Sequence, residues 1–240
     1  MTQAQQPRSG SRASPNAIIT GGSRGLGAAL AGVLVAEGWR VVVDARTEPD
    51  LRATADRLGP AAVAVPGDLT DPAHQARLLA TVADLGSLDL LVNNGGTLGP
   101  SPLPPVAALP LDALRELYEV NVLAPLALTQ AALPALRADG GVLVNITSDA
   151  AVEPYEGWGG YGSAKAALER LSAGLAAEEA EVTVWTVDPG DLRTRMHQQA
   201  FPGEDISDRP LPEQVAPALA AMLAKRPASG RYRLADWLPS

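Results

Sequence analysis

The chain has 240 residues, enough to bury a sizeable core in a single α/β domain, and 46% of them are hydrophobic, with Ala, Val, Leu and Ile supplying the core and a single Phe. Lys and Arg number 19 against 27 Asp and Glu, a net charge of -8, which argues against a general nucleic-acid or membrane-surface binder. With no Cys and two distant His, disulfide frameworks, thiolate chemistry and a clustered metal site are not expected, and no apolar run reaches the roughly 18 residues of a bilayer span.

Residues 1–15 are rich in Gln, Ser, Pro and Arg and lack an apolar stretch, so they read as a disordered extension rather than a secretory signal. Residues 16–240 read as one domain, and the composition fits a cytoplasmic protein. A short apolar run at 17–20 is followed by Gly21-Gly22-Ser23-Arg24-Gly25-Leu26-Gly27, which opens a helix carrying Leu26, Leu30, Val33 and Leu34 on one side. In a strand–turn–helix setting, glycines let the backbone approach a diphosphate, and free N–H groups at the helix start attract its charge.

Further strands are predicted at 41–45, 61–65, 88–93, 142–146 and 182–187, with a last one at 230–235. Helices are predicted at 50–58, 72–85, 111–136, 161–180 and 211–224, and Pro125 should kink the third of these. Alternating strands and helices predict an α/β fold, a doubly wound, Rossmann-like parallel sheet with helices on both faces. Ligands bind such sheets at the carboxyl ends of the strands. Gly21, Asp68, Asn93, Ser148 and Pro189 each stand just after an apolar run, where those ends should be.

Tyr161 and Lys165 are spaced i, i+4, which places both on one helix face, one turn apart. A phenol titrates near pH 10, and an ammonium within about 4–6 Å would lower that by roughly one to three units. Tyr161 could then exchange a proton with a substrate oxygen.

Together these residues resemble the short-chain dehydrogenase/reductase family over 17–235. The resemblance rests on Thr20-Gly21 to Gly27, Asp68-Leu69, Asn93-Asn94-Gly95, Asn121, Ser148, Tyr161 with Lys165, and Pro189-Gly190 followed by Thr194. It implies that Tyr161 is the catalytic acid–base and that Lys165 lowers its pKa and holds the nicotinamide ribose. Ser148 would position the substrate carbonyl or hydroxyl, and Asn121 would hold a water linking Lys165 to solvent. Gly21, Ser23, Arg24, Gly25, Leu26, Gly27, Arg46, Asp68, Leu69, Asn93, Gly95, Pro189, Gly190 and Thr194 would line the cofactor site. The resemblance also implies a homodimer or homotetramer built through the long helices, and a small carbonyl or alcohol substrate. Gly96 stands where the family usually has Ala, and the glycine-rich loop 152–160 would leave one wall of the pocket open or mobile.

The cofactor is expected to be NADP(H), with NAD(H) as the alternative. In the family alignment, the acid that would bond a ribose 2′-hydroxyl falls at Ala45, whereas Arg46 and Arg24 could grip a 2′-phosphate. Asp44 would read the ribose only if the strand register slipped by one. Residues 191–212 should form a lid in which Arg193, Arg195, Met196, His197 and Phe201 face the substrate or the solvent. No carboxylate partner for His197 is identifiable, and His74, at a helix start, should be solvated. The competing reading is a catalytically silent dinucleotide-binding regulator or scaffold.

Overall fold

Apolar strand runs and amphipathic helices alternate along the whole of the computed structural model, which describes residues 14–238; the expected disordered extension lies outside these apart from Ser14 and Pro15. In the first half, β1 (Asn16–Ile19) leads to α1 (Gly25–Ala36), β2 (Arg40–Ala45) to α2 (Glu48–Leu58), and β3 (Ala62–Pro66) to α3 (Pro72–Leu85). Then β4 (Leu90–Asn93) leads to α4 (Leu111–Tyr118) and α5 (Ala124–Asp139), and β5 (Val142–Ile146) to α6 (Gly159–Glu178). After β6 (Thr183–Asp188) come α7 (Arg195–Ala200), α8 (Pro212–Val215) and α9 (Pro217–Lys225), and β7 (Gly230–Arg233) closes the sheet.

The strands are all parallel and lie in the order β3-β2-β1-β4-β5-β6-β7. The order reverses between β1 and β4, and in open α/β sheets ligands bind at such a switch point. Strand alternation divides the core in two. Ile19, Val43, Val92, Val144 and Trp185 face α1 and α9, whereas Ile18, Val42, Leu91, Leu143 and Val184 face α3 and α5. Both faces are buried, as parallel strands require. Replacing a fully buried side chain such as Leu91 by Ala would cost about 2–5 kcal/mol.

Local chemistry sets the helix ends. Asp71 caps α3 by accepting from the Ala73 amide at 2.9 Å, with Pro72 in the first turn. Gly140, left-handed at φ 59°, ends α5.

The long helix predicted at 111–136 is interrupted, but not as a kink centred on Pro125. A π-helical segment, Glu119–Leu123, joins α4 to α5, and Pro125 falls in the first turn of α5. Proline lacks the N–H that a continuous α-helix would use here, and the wider turn just before it absorbs the mismatch. By length and composition this stretch could cross a membrane; Leu117, Leu128 and Leu136 are instead buried in the fold. Pro217 likewise divides the helix predicted at 211–224 into α8 and α9. The last strand stops at Arg233, and residues 234–237 turn so that Leu234 enters the core.

Candidate active site

The carboxyl ends of the strands open onto a cleft of about 980 Å³. One half is walled by the glycine loop between β1 and α1. Gly21 adopts φ +69°, and a Cβ on it would lie 2.8 Å from Gly95 Cα; a Cβ on Gly27 would lie 2.4 Å from the Gly21 carbonyl. Only glycine allows this contact between loop, helix and the end of β4. No side chain caps α1, so the first-turn amides of Gly25, Leu26 and Gly27 are free to meet an anion. The residues present therefore fit a dinucleotide diphosphate.

Asp44 borders this half of the cleft, but its carboxylate is engaged inside the fold. It is 1% exposed; its Oδ1 accepts the Gly21 N–H at 2.8 Å and its Oδ2 faces His74 Nε2 at 3.0 Å. His74, expected to be solvated, is fully buried. The carboxylate on β2 turns a helix-start residue inward, and helical spacing carries no signal for such a partner. Ala45 offers no polar group, so the exposed Arg46 lines the cleft beyond β2. Arg24 also lines it and pairs with Asp50 at 3.0 Å. Asp68 and Leu69 complete this wall. Hydrogen bonds from the Thr70 amide and hydroxyl, reinforced by Arg46, hold the Asp68 carboxyl below the usual carboxylate range.

Asn93, expected beside the cofactor, points its side chain into the fold. Its Nδ2 donates to Asn145 Oδ1 at 2.8 Å and to Thr129 Oγ1 at 3.0 Å, and it is 3% exposed. Asn94, Gly95 and Gly96 form the cleft surface instead. The network satisfies the Asn93 Nδ2 donors, while Oδ1 is left without a partner.

In the other half, α6 presents Tyr161 and Lys165 one turn apart, both buried. Lys165 Nζ donates to the Ile146 carbonyl at 2.8 Å and lies 5.7 Å from the Tyr161 ring centroid. Burial lowers the Lys165 ammonium to about 8. The phenol is displaced opposite to the expected direction. Burial pushes it up, and the carboxylates of Asp188 and Asp149 push it further. Desolvation is the largest cause of the rise.

Ser148 lies two residues beyond β5, its Oγ donating to Asp149 Oδ1 at 2.9 Å and accepting from the Ala150 amide at 3.2 Å. The Tyr155 hydroxyl donates to the other Asp149 oxygen at 2.9 Å. Asn121 sits in the π-helical segment and is fully buried. Its amide clasps Thr97, accepting from the backbone N–H at 2.9 Å and donating to the carbonyl at 2.8 Å. The side chain of Asn121 is thus committed to the backbone of Thr97. A Cβ on Gly96 would lie 2.6 Å from Asn121 Oδ1, so the missing methyl and the Asn121 position belong together.

The wall expected to be open is packed by aromatic rings. Trp158 meets Tyr161 edge-on at 5.7 Å and lies 6.0 Å from Phe201 of the lid. Thr194 caps α7 by accepting the His197 amide at 3.1 Å, and Pro189, Gly190 and Thr194 all border the cleft. His197 has a carboxylate neighbour after all: its Nδ1 lies 3.8 Å from Asp191 Oδ1. At the far end of α6, Glu179 pairs with Arg137. The two residues are distant in sequence, so no local pattern announces them.

A glycine loop at the switch point, facing a buried Tyr–Lys pair across one cleft, is an oxidoreductase arrangement, and the family model for short chain dehydrogenases matches residues 15–205. The chain belongs to that family. Serine 3-dehydrogenase of Agrobacterium fabrum is 36% identical over 181 residues, covering 74% of this chain and 72% of its own. Mouse sepiapterin reductase is 36% identical over 199 residues, covering 76% of each. Among solved structures, a short chain dehydrogenase from Shigella flexneri 2a strain 301, complexed with NADP, superposes with a TM-score of 0.84 at 27% identity, covering 91% of this chain and 95% of that one. As a short-chain dehydrogenase, the protein is an oxidoreductase acting on CH–OH or C=O groups.

Proposed function

We propose that this short-chain dehydrogenase is an NADP(H)-dependent carbonyl reductase or alcohol dehydrogenase with Tyr161 as its acid–base. The carrying observation is the convergence of Tyr161, Lys165 and Ser148 on the cleft that the glycine loop enters. The dinucleotide supplies a hydride when bound, leaving the protein to position a substrate and handle one proton. Ser148 and Tyr161 address the substrate oxygen. The raised phenol keeps its proton at neutral pH, so Tyr161 enters as the donor to a carbonyl oxygen. Lys165 then faces the developing phenolate with its ammonium, which opposes the Asp149 and Asp188 charges. The names of the relatives, a dehydrogenase of serine and a reductase of sepiapterin, agree with a small polar substrate.

NADP(H) is favoured because Asp44 is engaged by Gly21 and His74, Ala45 cannot bond a hydroxyl, and Arg46 is exposed at the cleft. Arg24 would join Arg46 on the 2′-phosphate by exchanging its Asp50 partner. The complex of the Shigella protein with NADP supports the same choice. Exposed Leu123 and Leu171, flanking α5 and on α6, support assembly as a homodimer or homotetramer. Steady-state kinetics with each reduced cofactor tests the cofactor assignment: kcat/KM should be clearly higher with NADPH, and equal efficiency with NADH would refute it.

A further inference from the structure

Asp44 and His74 form a buried pair that neither the catalytic residues nor the glycine pattern accounts for. Asp44 Oδ1 accepts the Gly21 N–H at 2.8 Å, and the Asp44 carbonyl accepts the Gly22 N–H at 2.8 Å. Asp44 Oδ2 lies 3.0 Å from His74 Nε2, and His74 Nδ1 lies 3.3 Å from Arg77 Nη2.

The donor inventory gives these contacts a direction. A guanidinium has only donors, so His74 Nδ1 must accept from Arg77. A neutral imidazole whose Nδ1 accepts carries its proton on Nε2, and that N–H donates to Asp44. One chain of bonds therefore runs from Arg77 and His74 on α3, through Asp44 on β2, to the opening turn of the glycine loop. Gly67 makes room for it, since a Cβ there would lie 2.2 Å from His74 Nδ1.

We propose that His74 is a positioning residue for the dinucleotide loop: it locks the Asp44 carboxylate onto the Gly21 amide and so holds the turn in the shape that receives a diphosphate. This rests on the loop being a dinucleotide site. Without the imidazole, Asp44 would be a buried carboxylate short of a donor, free to turn away from Gly21. NADP and NAD share the diphosphate, so the effect must be common to both.

Calorimetry of NADP⁺ and NAD⁺ binding to the full chain tests this in three proteins: wild type, His74→Leu and His74→Gln. The leucine variant should weaken both affinities by about tenfold, the loss of one buried bond to a charged group, and leave their ratio as in wild type. The loss should appear in cofactor KM rather than kcat. Glutamine, whose terminal amide can donate to Asp44, should recover most of the affinity. Wild-type affinities in His74→Leu, or a glutamine variant as weak as leucine at equal thermal stability, would overturn the proposal alone. Failure of wild type to bind either dinucleotide would overturn the dinucleotide reading and this proposal with it. Should the leucine variant not fold, the ¹⁵N spectrum of the wild-type imidazoles decides. A neutral His74 protonated on Nε2 is expected; protonation on Nδ1 or on both nitrogens would contradict the bond chain.

Discussion

The two halves of the cleft are held in place by different physics. On the cofactor side, the glycine loop is tied to the sheet by backbone amides: Gly21 and Gly22 to Asp44, and Asn94 and Gly95 to the Thr20 hydroxyl. On the substrate side, Phe201 makes tilted ring contacts with Trp158 and with His197, and α7 spans only six residues. Directional bonds between buried groups fix a shape to tenths of an ångström, as a common dinucleotide requires. Aromatic contacts tolerate repacking, as a site adapted to one substrate among many requires. Tyr161 and Lys165 stand where the halves meet, on α6.

Substitutions can break this contrast at points of decreasing effect. Tyr161→Phe removes the proposed proton donor at the junction and should lower kcat by roughly 10²- to 10⁴-fold, while dinucleotide affinity measured by fluorescence stays within about twofold, a change small on the affinity scale. Lys165→Met should follow, at about 10²-fold in kcat. The wild-type pH profile carries the sign of the lysine effect. The ammonium is charged below about 8 and lost above it, so kcat/KM for carbonyl reduction should be level below that pH and fall above it. The methionine variant should lose that limb of the profile.

On the cofactor side, Arg46→Ala should reduce the NADPH-over-NADH preference in kcat/KM by roughly tenfold, the worth of one charge-assisted bond. On the substrate side, Phe201→Ala removes a ring from the lid and should raise substrate KM by a few-fold, in keeping with roughly 0.5–1.5 kcal/mol per aromatic pair. Cofactor KM should not move. A Phe201→Ala effect confined to the cofactor would erase the division between the halves.

Much of the cofactor side was legible in the sequence because its demands are local. A loop that must touch a strand end and a helix needs glycine at set spacings, and Gly21, Gly25 and Gly27 carry that need openly. Tyr161 and Lys165 are legible for the same reason, one turn apart on one helix. Their electrostatics were not, because the rise of the Tyr161 phenol comes from burial and from Asp188 and Asp149, brought together by tertiary structure. His74 was misread because its partner, Asp44, lies 30 positions away on another element. The family resemblance places Asn93 at the cofactor, yet its side chain closes a network with Asn145 and Thr129. The π-helical turn at Asn121 also escaped helical periodicity, since it is a local widening beside Pro125.

The most direct test of the central claim is to follow deuterium from NADPH labelled at the nicotinamide C4 into the product of a small carbonyl substrate. Deuterium is expected on the carbinol carbon with wild-type protein and almost none with Tyr161→Phe, although both proteins bind the cofactor. Binding without transfer by wild type, across a broad panel of aldehydes and ketones, would contradict it and leave a dinucleotide-binding regulator in its place.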